Sequence, residues 1–104
     1  MIEKFEGESV FIERMKNFDE DTIECTSHTL FRLSEKQRKI FTCDVLKRFL
    51  LDNEPLKVGI QYNGNYAVYY NFKGKQLLKI ILSFKPDKIR IVTFKILDKS
   101  QLPR

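Results

Sequence analysis

The two residues best suited to chemistry in this sequence are His28 and Arg32. At positions i and i+4 they share one face of a helix that the sequence predicts after Ser27. An imidazole exchanges protons near neutral pH, and a guanidinium binds a phosphate through two parallel hydrogen bonds. Together they would supply a proton-transfer group and a cation for cleaving RNA by internal attack of the 2′-hydroxyl, a reaction that needs no metal. The spacing alone favours a simpler interpretation, a helix-capping histidine beside an arginine paired with Glu35.

Further basic and aromatic residues fit binding to nucleic acid. Lys36, Arg38 and Lys39 add positive charge to the same helix. Four tyrosines fall within nine residues of the predicted sheet, and strand alternation makes Tyr69 the more exposed ring among them. Aromatic rings beside basic groups stack bases in single-strand binders, although tyrosine is also an ordinary strand residue. We therefore predict nucleic-acid contacts at Lys36, Arg38, Lys39 and Tyr69.

The charge of the chain is unevenly distributed. The net charge is +5, but residues 1–26 hold eight acidic and three basic residues, and residues 27–104 hold six acidic and sixteen basic residues. A positive field attracts polyanions, RNA or DNA above all, without sequence preference. Solubility and life at high temperature are the alternative explanations for the lysines.

Other kinds of site are disfavoured. Cys25 and His28 have a Cys-x-x-His spacing, but Cys43 is the only other thiol, and structural zinc takes four such ligands. We therefore predict no metal and no cofactor. The two cysteines fit a single bridge or a reducing compartment, and buried small-residue roles are favoured. The first residues do not resemble a secretory leader and no apolar run has membrane-spanning length, so we expect a cytoplasmic protein that does not contact a membrane.

The hydrophobic periodicity predicts helices first and hairpins afterwards. A helix capped by Ser9 precedes a short strand at 23–25, a helix from His28 to Ile40 and a helix capped by Thr42. Four strands follow at 56–62, 65–72, 76–84 and 89–97, and Asn63-Gly64 predicts a type I′ turn. The order predicts an α+β fold, with the helices packed on one face of a four-stranded antiparallel sheet and an extra N-terminal helix. We expect a single domain over 1–104, with a helical extension at 1–21, a core at 22–97 and a tail at 98–104.

Two short motifs resemble those of the BrnT-like and RelE-like toxins and their related small archaeal or bacterial domains of unknown function. One is Thr26-Ser27-His28-Thr29-Leu30-Phe31-Arg32-Leu33, which opens a helix, and the other is Ile91-Val92-Thr93-Phe94 in the last strand. The resemblance covers about residues 22–97. It implies a RelE-toxin-like fold with two helices packed on a curved antiparallel sheet.

The resemblance also implies a function. It implies an RNA-binding, toxin-like endoribonuclease with His28, Arg32 and Lys95 as its catalytic residues. Lys95 stands where these toxins usually have a strand-terminal tyrosine, so it could hold a phosphate but could not stack a base. The implied partners are RNA, ribosome-associated or free, and an antitoxin protein. The alternatives are a non-catalytic nucleic-acid-binding module that uses the same surface and a protein-interaction module.

The acidic residues 1–26 suggest a further hypothesis within this resemblance. Toxins of this kind are silenced by an acidic or hydrophobic antitoxin segment. We expect the acidic stretch to pack across the basic face of its own chain, so that deletion of residues 1–20 would raise the affinity for RNA. The sequence leaves the oligomeric state open.

Overall fold

The computed structural model describes residues 2–26 and 40–103, and within them two helices pack on a six-stranded sheet. The helices are α1 (Glu8–Met15) and α2 (Cys43–Asp52), and the strands are β1 (Ile2–Glu6), β2 (Ile23–Cys25), β3 (Lys57–Gln61), β4 (Tyr66–Asn71), β5 (Gln76–Phe84) and β6 (Ile89–Asp98). The spatial order is β1-β3-β4-β5-β6-β2. Strand β2 runs parallel to β6, and all other neighbours are antiparallel. The α+β class is confirmed, but the sheet has six strands rather than four.

The N-terminal residues differ from the predicted helical extension. Residues Ile2–Glu6 form an edge strand, which pairs with β3 through contacts such as Phe5 with Gly59. Helix α1 starts at Glu8 with Gly7 as its N-cap, two residues before the start that Ser9 predicted. Propensity and periodicity miss this strand because its pairing partner lies more than fifty residues away in the chain.

The main hydrophobic core lies between the sheet and the two helices. Helix α1 buries Phe11 and Met15, and helix α2 buries Leu46 and Leu50. Both pairs belong to one cluster with the inward residues of the strands, which include Val58, Val68, Tyr70, Leu78, Ile80, Leu82, Ile89 and Ile91. The predicted packing of helices on one face is therefore confirmed for the described helices. Thr42 caps α2 as predicted, because its hydroxyl accepts the Val45 N–H at 3.2 Å.

The hairpin between β3 and β4 closes differently from the prediction. A type I′ turn needs positive φ at both central residues, but here only Gly64 has it, at +88°. The Gly64 N–H donates to the Gln61 carbonyl, and the Gln61 N–H donates to the Asn65 carbonyl. This pattern is that of a three-residue loop whose last residue is left-handed. The turn needs Gly64 for its positive φ, but the predicted turn type is wrong.

Cys25 and Cys43 form a disulfide, which corrects the expectation that they are separate buried residues. The bond joins the end of β2 to the first residue of α2, with the two Cα atoms 6.1 Å apart. It therefore fixes the two points between which residues 26–42 run.

The disulfide gives a prediction on stability. Cross-linking residues 18 positions apart removes chain entropy from the unfolded state. We expect Cys25→Ser to lower the free energy of unfolding by about 3 kcal/mol in denaturant titrations under oxidising conditions. Cys43→Ser should cost the same, and the double variant should cost no more than either single one. A double variant as stable as the oxidised wild-type chain would contradict the pairing.

A second prediction concerns Gly59, which makes room for the side chain of Ile2. A Cβ at residue 59 would lie 2.7 Å from Cδ1 of Ile2 and 3.0 Å from its Cγ1 and Cγ2. We expect Gly59→Ala to lower the free energy of unfolding by about 1 kcal/mol, as for a mild overpacking. Combining it with Ile2→Ala should remove the added cost. Gly7→Ala is the control, since its nearest neighbour lies 3.8 Å away.

Candidate functional site

The sheet face opposite α1 and α2 is buried at its centre although neither of these helices packs on it. Tyr69 is only 2% exposed there, beside Ala67 and Ile81. Ile2 packs on the cluster from β1, and Leu102 packs on it from the chain that follows β6. Burial raises the pKa of the Tyr69 phenol above its usual value. The prediction that Tyr69 is an exposed ring is therefore wrong, because the chain termini and neighbouring side chains cover it, and its ring offers no open face to a base.

A line of lysines crosses this helix-free face from strand to strand. Lys57 pairs with Tyr69, Tyr69 pairs with Lys79, and Lys79 pairs with Lys95. Residues directly paired across strands point to the same face. Lys57 and Lys79 therefore flank the buried tyrosine, and Lys95 lies beyond Lys79. The Nζ atom of Lys79 lies 5.7 Å from the centre of the Tyr69 ring. We call Lys57, Lys79 and Lys95 the lysine row.

A β-bulge in β6 places Lys95 in the lysine row. Ser83 pairs with Arg90, but Ile81 pairs with Thr93. Two residues of β6, Ile91 and Val92, therefore stand opposite Leu82 alone, and Val92 has no paired residue in β5. Without this extra residue, Lys79 would oppose residue 94 and Lys95 would point toward the helices. Bulges commonly re-aim side chains in this way.

The strands that carry the lysine row offer it little compensating negative charge. The only acidic residue in strands β3 to β6 is Asp98, at the end of β6. No ion pair in the described part of the chain involves Lys57, Lys79 or Lys95. Like charges directly opposite each other in a sheet are destabilising. The pKa of Lys79 is lowered by its partial burial and, second, by the charge of Lys95.

The cations at the β2 edge of the sheet are neutralised instead. Glu24 accepts a hydrogen bond from Nε of Arg90 at 2.9 Å and lies 3.2 Å from Nζ of Lys88. These two bonds, that of Arg90 first, hold the pKa of Glu24 below its usual value. The contrast separates cations that stabilise the fold from the lysine row, whose charge is unbalanced.

An exposed aromatic ring lies at the other end of the lysine row. Phe5 of β1 pairs with Gly59 and is 43% exposed. The Nζ atom of Lys57 lies 4.5 Å from the centre of its ring. A cation over an exposed ring gives this end of the face a combined charged and apolar surface.

Most of the predicted site residues fall outside the described part of the chain. These residues are His28, Arg32, Lys36, Arg38 and Lys39. Lys95 is the predicted catalytic residue that the structure does place, and it lies in the lysine row with Lys79 as its direct partner. Whether it meets His28 and Arg32 therefore stays a prediction.

The chain enters that segment beside the strand that carries Lys95. The Thr26 N–H donates to the carbonyl of Ile91, and its hydroxyl donates to the carbonyl of Val92. Lys95 lies three residues further along β6 than Val92, a distance of about 10 Å.

The expected packing of the acidic N-terminal stretch across the basic face around His28 and Arg32 involves residues outside the described ranges and stays a prediction. Helix α1 packs on the opposite side of the sheet from the lysine row, with Phe11 and Met15 in the helix-facing core. Residues 2–6 are part of the sheet itself. Deleting residues 1–20 would remove β1 and α1 and would expose the part of the core that α1 covers.

Sequence reasoning missed Lys57 and Lys79. The signal that could have found them is the near absence of acidic residues from four consecutive strands that contain lysines. A second signal is the change of phase in β6, where the apolar positions are 89 and 91 first and 94 and 96 afterwards. That change is typical of a bulge.

None of the helices in residues 2–26 and 40–103 has the length and the apolar composition of a membrane span. Nor do three or more His, Cys, Asp or Glu side chains come together there as metal ligands would.

The sequence profile of the MJ0788 family matches residues 9–82, more than half of the chain, and the chain belongs to this family. The matched region runs from α1 to β5 and includes Lys57 and Lys79. No curated protein and no solved structure matches the chain. The family match does not connect the chain to BrnT-like or RelE-like toxins, so that resemblance stays a prediction.

The lowered pKa of Lys79 predicts a pH-dependent stability. Between this pKa and the ordinary value of 10.5, the unfolded chain binds more protons than the folded chain, so folding becomes more favourable as the pH rises. Lys79→Met removes this group. In urea titrations from about pH 7 to about pH 9.5, below the usual tyrosine pKa, wild type should gain free energy of unfolding relative to Lys79→Met. A difference that is constant or moves the other way would contradict the assignment.

Proposed function

We propose that this member of the MJ0788 family binds RNA along its sugar–phosphate backbone through the lysine row. The observation that carries the proposal is the direct pairing of Lys79 with Lys95, with no acidic residue paired to either lysine in the described strands. Leaving two ammonium groups opposite each other costs stability, and a polyanion is the class of ligand that removes this cost.

The dimensions of the lysine row suit an extended strand of nucleic acid. Lys57 and Lys95 lie on strands three positions apart, which separates their backbones by about 14 Å. Tyr69 lies buried between Lys57 and Lys79, so a nucleic-acid chain that crosses the strands would run over the side chains that cover this ring. Phosphate contacts of this kind position a strand and do not read its sequence.

The exposed ring at the end of the lysine row favours single-stranded RNA over a duplex. Phe5 is accessible and has the Lys57 ammonium above it. A base that is free of pairing can stack on such a ring, whereas a duplex keeps its bases inside. Tyr69 supports the face from below and is not part of the contact surface.

The proposal is binding rather than cleavage. The lysine row supplies cations that could hold a phosphate, and no carboxylate of the described residues forms an ion pair with it. The only histidine in the chain, His28, lies outside them. The toxin-like endoribonuclease with His28, Arg32 and Lys95, and an antitoxin partner for it, stay predictions. Loss of RNA cleavage in His28→Ala, assayed in chelator, is the result that would establish the enzyme.

We infer a cytoplasmic location, because this compartment fits an RNA ligand. The Cys25–Cys43 disulfide is relevant to that location, because the compartment sets the redox state of the two cysteines. Disulfides persist in oxidising compartments and, inside cells, chiefly in hyperthermophiles. Free thiols counted in protein purified under an inert atmosphere would show which state the cell maintains.

The salt dependence of RNA binding tests the proposed function. Three phosphate contacts with a single strand predict a slope of about −2 for the logarithm of the association constant against the logarithm of salt concentration. Each of Lys57→Gln, Lys79→Gln and Lys95→Gln should weaken binding and make the slope shallower by about 0.7. The measurement is fluorescence anisotropy with a short unstructured RNA.

The control is Lys16→Gln, which removes an exposed lysine of α1 that is paired with Glu13 on the helix side of the molecule. It should leave both the affinity and the slope near wild type. If Lys16→Gln weakens binding as much as Lys79→Gln, the charge acts as a general field and the lysine row is not the site. If RNA does not bind at low salt, the proposed function is wrong.

A further inference from the structure

We propose that Lys79 is an acylation site: a nucleophilic amine that takes an acyl group from a thioester. The position of Lys79 in the sheet supports this proposal, which goes beyond RNA binding. Only its consequence for RNA rests on the proposed function.

The surroundings of Lys79 favour the neutral amine. Lys95 faces it directly from β6, and Tyr69 faces it from β4. Beyond Tyr69, the residue paired with it from β3 is Lys57, also a cation. Among the described residues no carboxylate pairs with Lys79 from either neighbouring strand, and the group beside its ammonium is the uncharged Tyr69 ring, 5.7 Å from Nζ.

The position also distinguishes Lys79 from the other lysines of the row. It is half-buried and directly opposite a second lysine, whereas Lys95 is exposed and Lys57 is paired with Tyr69. A lysine that is partly desolvated and beside a second cation is the arrangement that activates an amine as a nucleophile. The lowered pKa of Lys79 agrees with this geometry. Its partial exposure leaves the amine accessible to a small reagent.

The reaction is a simple acyl transfer. The lone pair of Nζ attacks the carbonyl carbon of the thioester, the new C–N bond forms, and the C–S bond breaks. The sulfur leaves with the bonding electron pair, and the proton lost by the nitrogen passes through water to the thiolate. The products are an amide on Lys79 and a free thiol.

Acylation would remove one of the two opposed charges. On the proposed function, the modified chain makes one phosphate contact fewer, and its salt slope for RNA becomes shallower by about 0.7. The modification would therefore regulate RNA binding at the centre of the lysine row.

The test is competitive labelling of the full chain with a small acetyl thioester at limiting concentration. Digestion and mass spectrometry then give a rate for each lysine. Lys79 should be labelled faster than Lys57 and faster than the helix-side Lys16, and Lys95→Gln should slow the labelling of Lys79. Lys95→Arg keeps the neighbouring charge and should preserve the fast rate.

Two results would overturn the inference. One is a rate at Lys79 no higher than at Lys16, and the other is an unchanged Lys79 rate in Lys95→Gln when circular dichroism shows that this variant is folded. Labelling in the presence of RNA separates the two proposals. Fast labelling of Lys79 that RNA does not suppress would support the reactive amine and contradict RNA binding at the lysine row.

Discussion

The antiparallel register of strands β3 to β6 is the constraint on which the rest of this structure depends. Side chains alternate between the two faces of a sheet, so a shift of one residue would exchange the core residues for the solvent-facing ones. The register places Tyr70 with the helices and Tyr69 on the opposite face, and both are buried. The bulge at Val92 then changes the phase of β6 so that Lys95 opposes Lys79.

The helix-free face combines a stabilising and a destabilising element. Its centre is buried by individual side chains that pack on it, including Ile2 of β1 and Leu102 after β6. Lysine side chains can cover apolar surface with their methylene groups while the ammonium stays in water. The opposed charges of Lys79 and Lys95 cost stability there. Consistency between local and global preferences is expected of a fold, and a local exception is typical of a functional surface.

The sequence predicts the parts of this fold that rest on local patterns. The bounds of β5 follow from its nearly continuous apolar run, and the Thr42 cap of α2 follows from capping chemistry. The edge strand β1, the disulfide and the burial of Tyr69 depend on residues distant in the chain, so no local pattern reveals them. The candidate site divides in the same way. Lys95 is found from the sequence by resemblance, whereas its partner Lys79 needs the register of the β5–β6 hairpin and its bulge.

The central claim is that the lysine row, and not the basic surface in general, contacts RNA. The most direct measurement is a set of NMR spectra of the lysine Hε–Cε groups, recorded while a short single-stranded RNA is added. The account predicts that the signals of Lys57, Lys79 and Lys95 shift together and saturate together, while those of Lys16 and Lys47 on the helix side stay in place. Shifts of Lys16 and Lys47 with an unmoved lysine row would contradict it.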